Sequence, residues 1–386
     1  MRVNLAATGQ GATRRIKPAA PQGQPAYRFN WNAPLLLSPH DPKTLYYGGN
    51  HLFKSVNRGD KWEVISPDLT RGKPGPDPST GHTLTTIAES PLRAGLIYVG
   101  TDDGKLHVTR DGGQNWTDLS EKVPGVPPER WISRVECSHF DAGTAYLTID
   151  RHRNDDLRPY VFKTTDYGAS WVNISNNLPD DAAVQVIRES SKNRDLLFVG
   201  TETGLFASLD GGKKWHHLKN NGLPPAVPVH DLVIHPRDRE LVIGTHGRSI
   251  YVMDIAPLEE LTAKALSSDV HLCDVKPATA LALKAPETPS TSKAYRAPNP
   301  PVGAVVHYYL RSPAPGPVSL TVTDASGKTV ASLSGPHQAG LQRVLWDLKG
   351  TGQNGELVNP GEYSVTLKVG EQTLTKRVRV EGERAE

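Results

Sequence analysis

Cysteine is almost missing from this 386-residue chain. The two present, Cys137 and Cys273, stand far apart and in no CxxC or Cys/His ligand spacing. That excludes a disulfide-rich scaffold and a zinc ribbon, and no metal or cofactor is expected. The thiols read as two buried free cysteines, with a disulfide as the alternative in an oxidising compartment. Aromatic residues make up only 6%. No run approaches the roughly 18 apolar residues of a membrane-spanning helix. Net charge is also small, +3 from 44 basic and 41 acidic residues, so composition points to neither a nucleic-acid nor a membrane-surface partner. The long apolar periods of a helical bundle are lacking, as are the GxxxxGK[ST], HExxH and GxSxG motifs. Residues 1–26 have no apolar h-region and therefore no export signal on the chain as written. They read as a flexible lead-in, or as a cut into a longer gene product.

Turn formers are abundant. The 35 glycines and 32 prolines are together about 17% of the chain, against an ordinary share of roughly 12%. Many of them belong to a repeat. The pattern Ser/Thr-x-Asp/Asn-x-Gly-x-x-Trp occurs at Ser55, Asn57, Gly59 and Trp62, and again at Thr109, Asp111, Gly113 and Trp116. It recurs at Thr164, Asp166, Gly168 and Trp171, then at Ser208, Asp210, Gly212 and Trp215. Ahead of each box lies a short apolar run (LYYGG, LIYVGT, AYLTID, LLFVGT), and a fifth run, LVIGT, follows without a box. Another apolar segment ending in a turn precedes each run. Each unit therefore reads as four short antiparallel strands recurring every 44 to 52 residues, the signature of a β-propeller blade. Five units are expected over 27–256. Within each box the hydroxyl and carboxylate can bind turn amides and the glycine can take φ > 0, so the boxes are read as structural. The fifth unit is incomplete. Either Tyr27–Asn30 supplies its missing strand and closes a ring, or the units form an arc of a larger ring.

The box resembles the Asp-box, or BNR, repeat of sialidases, sortilin-type receptors and xyloglucanase-like glycosidases. Segments such as NWNAPLLLSPHDPKTLYYGGN and VPVHDLVIHPRDRELVIGTHGRSIYV resemble the C-terminal half of large bacterial "glycosyl hydrolase, BNR repeat" proteins with a sortilin-type propeller. Beyond 256 the composition turns to Ala, Pro, Ser, Thr and Lys, expected to be a linker over 257–301 with a short helix in PLEELTAKAL. Six or seven alternating strands over 302–382 predict an Ig-like β-sandwich. The run Trp346-Asp347-Leu348-Lys349-Gly350…Asn354-Gly355…Pro360-Gly361-Glu362-Tyr363 resembles the Ig-like domain of flagellar hook-capping proteins. The fold class expected is thus all-β, an Asp-box propeller followed by a sandwich.

Propeller ligands usually bind on the loops opposite the boxes. Those loops and the starts of the innermost strands offer His51, Asp103, Arg151, His152, Trp131, Arg134, His230, His246 and Arg248 as ligand-binding candidates, with Asn50, Trp31 and Gln185 nearby. Asp102, Asp150 and Glu202 are the catalytic candidates, because a glycosidase needs two opposed carboxylates roughly 5–9.5 Å apart. The resemblance implies an arginine triad and a Phe/Tyr-Arg-Ile-Pro motif for a sialidase. Arg15-Ile16-Lys17-Pro18 is not that motif. It implies one Asp from each of two propellers for a xyloglucanase, and this chain has one propeller at most. The leading expectation is therefore a non-catalytic, sortilin-like face that recognises a polypeptide or glycan, with glycoside hydrolysis as the alternative. The resemblance further implies an extracytoplasmic location, with the remainder of a longer propeller protein as a further partner.

Overall fold

The computed structural model describes residues 2–3, 13–72, 81–128, 130–219, 222–281, 302–350 and 356–382. The chain divides into two compact units, Met1–Ile255 and Ala256–Glu386. It is all-β apart from a few short helical turns, and no described helix is long and apolar enough to cross a membrane.

In the first unit each sequence repeat becomes one antiparallel sheet with its strands in chain order. The innermost strands are Leu35–Leu37, Leu84–Glu89, Trp131–Cys137, Val184–Glu189 and Val229–His235. Four sheets have four strands and the fifth has three, as the blades of a β-propeller. Second strands such as Ile97–Thr101 and Leu197–Thr201 are buried at every position. Neighbouring blades cover both of their faces, which is why these strands read as continuous apolar runs instead of alternating ones.

All four boxes fold into one hydrogen-bonded turn. The Ser/Thr hydroxyl meets the Asp/Asn Oδ1 at 2.7–2.9 Å and accepts the glycine N–H at 2.8–3.0 Å. The same Oδ1 accepts a second amide four residues on, at 2.9 Å in each. Glycine is required here: Gly212 has φ +93°, and a Cβ on it would stand 2.8 Å from Ile174 Cδ1 of the preceding blade. The tryptophans reach the same neighbour. Trp116 Nε1 donates to Ile65 O (3.0 Å) and Trp215 Nε1 to Ile174 O (2.8 Å). Trp171 is buried too, yet its Nε1 finds no acceptor among the described residues.

Buried glutamates also join the blades. Glu89 accepts from Ser38 Oγ (2.6 Å) and Tyr46 OH (3.1 Å), and Glu189 repeats this one hundred residues later with Ser138 (2.8 Å) and Tyr146 (2.9 Å). In the intervening blade the position belongs to Cys137, and the buried Tyr98 hydroxyl has no hydrogen-bond partner among the described residues.

Two expectations need correction. The lead-in over 1–26 is not uniformly loose: Trp62 Nε1 donates to Ile16 O (2.6 Å), and Ile16 packs against Gly59. Ile16 thereby takes the place that Ile65 and Ile174 hold between later blades. Tyr27–Asn30 does not complete the fifth sheet. Tyr27 and Phe29 pack on Phe53 of the first sheet, and Arg28 binds Asp68 and Thr70. The fifth sheet keeps three strands and exposes Ile250 and Val252.

The second unit is a sandwich of a three-stranded and a five-stranded sheet. Its core includes Tyr308, Trp346, Val365 and Val378, and Tyr363 OH donates to Asn359 O at 2.6 Å, a tyrosine-corner type of tie. The expected linker is structured at its start. Instead of one helix there are two, Ala256–Glu260 and Ala263–Ser267, the second capped by Thr262. Val270–Leu272 then pairs with Ala304–Leu310, and Ala278–Thr279 pairs with Gln372–Glu381. Apolar Leu272 and Ala278 fill the sandwich core and hold this segment down. The rest of that linker, 282–301, and the Asn354-Gly355 turn lie outside the described residues.

Candidate functional site

Four innermost strands carry a register shift at the same place: between Leu84 and Thr86, Ile132 and Arg134, Val184 and Val186, and Val229 and Asp231. A bulge leaves one residue unpaired and re-aims its side chain. Here those residues are Thr85, Ser133, Gln185 and His230, and all four line one cavity of about 1270 Å³ in the first unit. Thr85 and Ser133 spend their hydroxyls on the next blade's backbone, at Ile132 O (2.6 Å) and Val184 O (2.9 Å). Gln185 and His230 face carboxylates.

Gln185 Nε2 donates to Asp150 Oδ2 at 3.0 Å and to Glu202 Oε1 at 2.9 Å. The two oxygens are therefore at most about 6 Å apart, close to the roughly 5–5.5 Å between the carboxyl groups of retaining glycosidases. His230 Nε2 lies 3.0 Å from Glu202 Oε1, and this hydrogen bond is the main cause holding Glu202 below the ordinary glutamate range. The His246 ring packs on His230 with centroids 4.7 Å apart. Asp150 is buried. It accepts from His152 N (2.9 Å), and His152 Nδ1 lies 2.6 Å from its Oδ2. Aromatic surface flanks the pair: Trp131 lies under Arg153 at 4.5 Å, and Trp31 is 79% exposed on the cavity wall.

Part of the wall is ionic. Arg134 binds Asp231 (2.7 Å), while Arg188 binds Glu136 (2.9 Å) and approaches Asp231 (3.5 Å). Desolvation, with Arg188 beside it, lowers Arg134 to about 10. Arg188, Glu136 and Asp231 were not among the sequence candidates. Simple alternation along each strand assigns their faces wrongly, because the bulge reverses its parity.

The cavity thus gathers Asp150, Glu202, Trp131, His152, Arg134, His230 and His246 from the candidates, together with Trp31 and Gln185. It does not gather the others. Asp102 accepts from Thr83 N (2.7 Å), Thr83 Oγ1 and Asn30, and burial raises its carboxyl; it holds two segments together. Asp103 is spent on Arg71 N (2.7 Å) and Thr101. His51 packs on Tyr27 and Phe53 with Nδ1 at 3.1 Å from Ser66 O, and Asn50 binds Asp68. Arg151 pairs with Asp156, and Arg248 sits exposed in the turn after Glu240–Thr245.

Comparison with known proteins adds a class of chemistry. Residues 303–372 match the FlgD Ig-like domain family. The chain is 32% identical over 124 residues to a protein of Neosartorya fischeri named "Probable oligoxyloglucan-reducing end-specific xyloglucanase", covering 31% of this chain and 14% of that protein. It is 25% identical over 232 residues to xyloglucanase Xgh74A of Acetivibrio thermocellus, covering 51% of this chain and 26% of that one. Among solved structures it is similar to the GH74 xyloglucanase of Xanthomonas campestris, with 17% identity, TM-score 0.45, and coverage of 89% of this chain and 50% of that one. The chain spans only 14–26% of the length of the curated relatives it matches. These relatives overturn the expectation of a non-catalytic, sortilin-like binder: the curated proteins it matches are glycan-cleaving enzymes, and none of them supports a polypeptide ligand.

Proposed function

We propose that the first unit supplies the substrate cleft of a glycoside hydrolase acting on xyloglucan-type polysaccharides outside the cytoplasm. The observation that carries this reading is the juxtaposition in one cavity of two carboxylates, Asp150 and Glu202, bridged by a single amide and flanked by tryptophan faces. Likeness to two xyloglucanases supports the substrate class. The four turns with one hydrogen-bond pattern support the Asp-box repeat.

Glycoside cleavage passes through an oxocarbenium-like transition state, which needs a negative charge near the sugar and a proton for the leaving oxygen. Glu202, held ionised by His230, suits the first task, either facing the positive centre or taking a proton from water. Asp150 is the second carboxylate within reach. Trp31 and Trp131 offer flat apolar faces to sugar rings while the polar groups orient the hydroxyls. The test is reducing-sugar release from xyloglucan. Glu202→Gln should lower kcat by about 10²–10⁴ while oligosaccharide binding persists, and Trp131→Ala should act mainly on KM. A wild-type protein inert on xyloglucan and other β-glucans, or a Glu202→Gln variant at full rate, sinks the reading.

A further inference from the structure

A second cluster of reactive side chains lies wholly within the second unit. His271 and Cys273 are two positions apart at the strand Val270–Leu272. Alternation sends both side chains to the face opposite Leu272, which fills the sandwich core. The helix Ala256–Glu260 ends over that face with Glu260. The carboxylate oxygen, the imidazole nitrogen and the sulfur all lie within 4.8 Å of one another. Glu260 Oε2 stands 3.7 Å from His271 Nε2 and accepts the Asp274 amide at 2.9 Å. Cys273 is fully buried, and His271 Nε2 is a buried atom with no hydrogen-bond partner among the described residues.

We propose that Glu260, His271 and Cys273 bind a divalent metal ion of zinc type. A thiolate, an imidazole and a carboxylate form the mixed donor set that a borderline-soft ion takes, and that calcium or magnesium does not. Tetrahedral zinc with bonds of about 2.0–2.3 Å keeps its ligand atoms roughly 3.3–3.8 Å apart. The Glu260–His271 separation already falls in that range, and the sulfur needs a shift of about 1 Å at most. The orphaned Nε2 gains the partner it lacks. The Asp274 amide orients the carboxylate from outside, as outer partners do in metal sites. Water takes the fourth position. The ion ties the helix to the strand, so its role is to brace this segment of the sandwich, independently of any hydrolytic activity.

The full chain, stripped with a chelator and titrated with Co²⁺, tests this. One equivalent should bind with a thiolate-to-metal charge-transfer band, Zn²⁺ should displace it, and the melting temperature should rise with metal. Cys273→Ser should remove the band and Cys137→Ser should keep it. If Cys273→Ser does not fold, His271→Gln, at a half-buried position, carries the same test with a loss of affinity of about tenfold or more. Absence of stoichiometric uptake by the wild type, or an unchanged band and affinity in His271→Gln, overturns the proposal.

Discussion

Glu202 and His230 show what one contact decides at the scale of a residue. Glu202 is lowered chiefly by His230, so the acidic limb of the pH–rate profile, where Glu202 loses its charge, should lie below the ordinary glutamate value of about 4.3. His230→Ala removes that hydrogen bond and should move the limb upward, leaving less activity at acidic pH and little change at neutrality. The dependence of kcat/KM on pH checks it, and a limb that stays in place denies Glu202 the role. Glu202, His230, Trp131 and Gln185 were legible from chain order alone, because strand starts and second-strand ends must converge on one end of a blade array. Asp102 looked equally suitable at the same place in its own blade. It is bound instead by Thr83 and Asn30, whose hydrogen bonds depend on how two distant segments dock. Arg188 and Asp231 were hidden by a bulge that leaves no mark in composition.

At the scale of the element, the same buried device appears complete twice and incomplete once. Tyr146→Phe removes one of the donors to buried Glu189 and should cost about 1–2 kcal/mol. Tyr98→Phe, one blade earlier, removes a hydroxyl that has no partner among the described residues opposite Cys137 and should be neutral or slightly stabilising. Urea unfolding of the two variants decides the matter: equal losses would mean that Tyr98 has found water or another acceptor. Gly212→Ala should cost at least about 1–2 kcal/mol from left-handed backbone alone, before the contact with Ile174 is counted. The box turns were readable because the bonds of their Ser/Thr and Asp/Asn side chains are local, spanning two or four residues. The glutamate bridges, spanning 43 and 51 residues, were not.

For the whole molecule, the division at 255/256 carries a prediction about where the chain can be cut. A fragment beginning at 256 retains Val270–Leu272 and Ala278–Thr279 and should unfold cooperatively by itself. One beginning at 302, where the sequence alone placed the boundary, loses both strands together with buried Leu272 and Ala278. It should melt lower or stay unfolded by circular dichroism, and equal stability of the two fragments would show that these strands are dispensable. In the first unit, the indole acceptors have a bearing on how the chain acquires its structure during synthesis. Trp62, Trp116 and Trp215 each donate to a carbonyl 46, 51 or 41 residues earlier, never later. As the chain leaves the ribosome from its N-terminus, every such turn meets an acceptor that is already made, and Ile16 is waiting before the first blade exists. These turns can thus close as soon as their own blade is made, while ties such as Thr85 to Ile132 O and Ser38 to Glu89 are completed only when the following blade arrives.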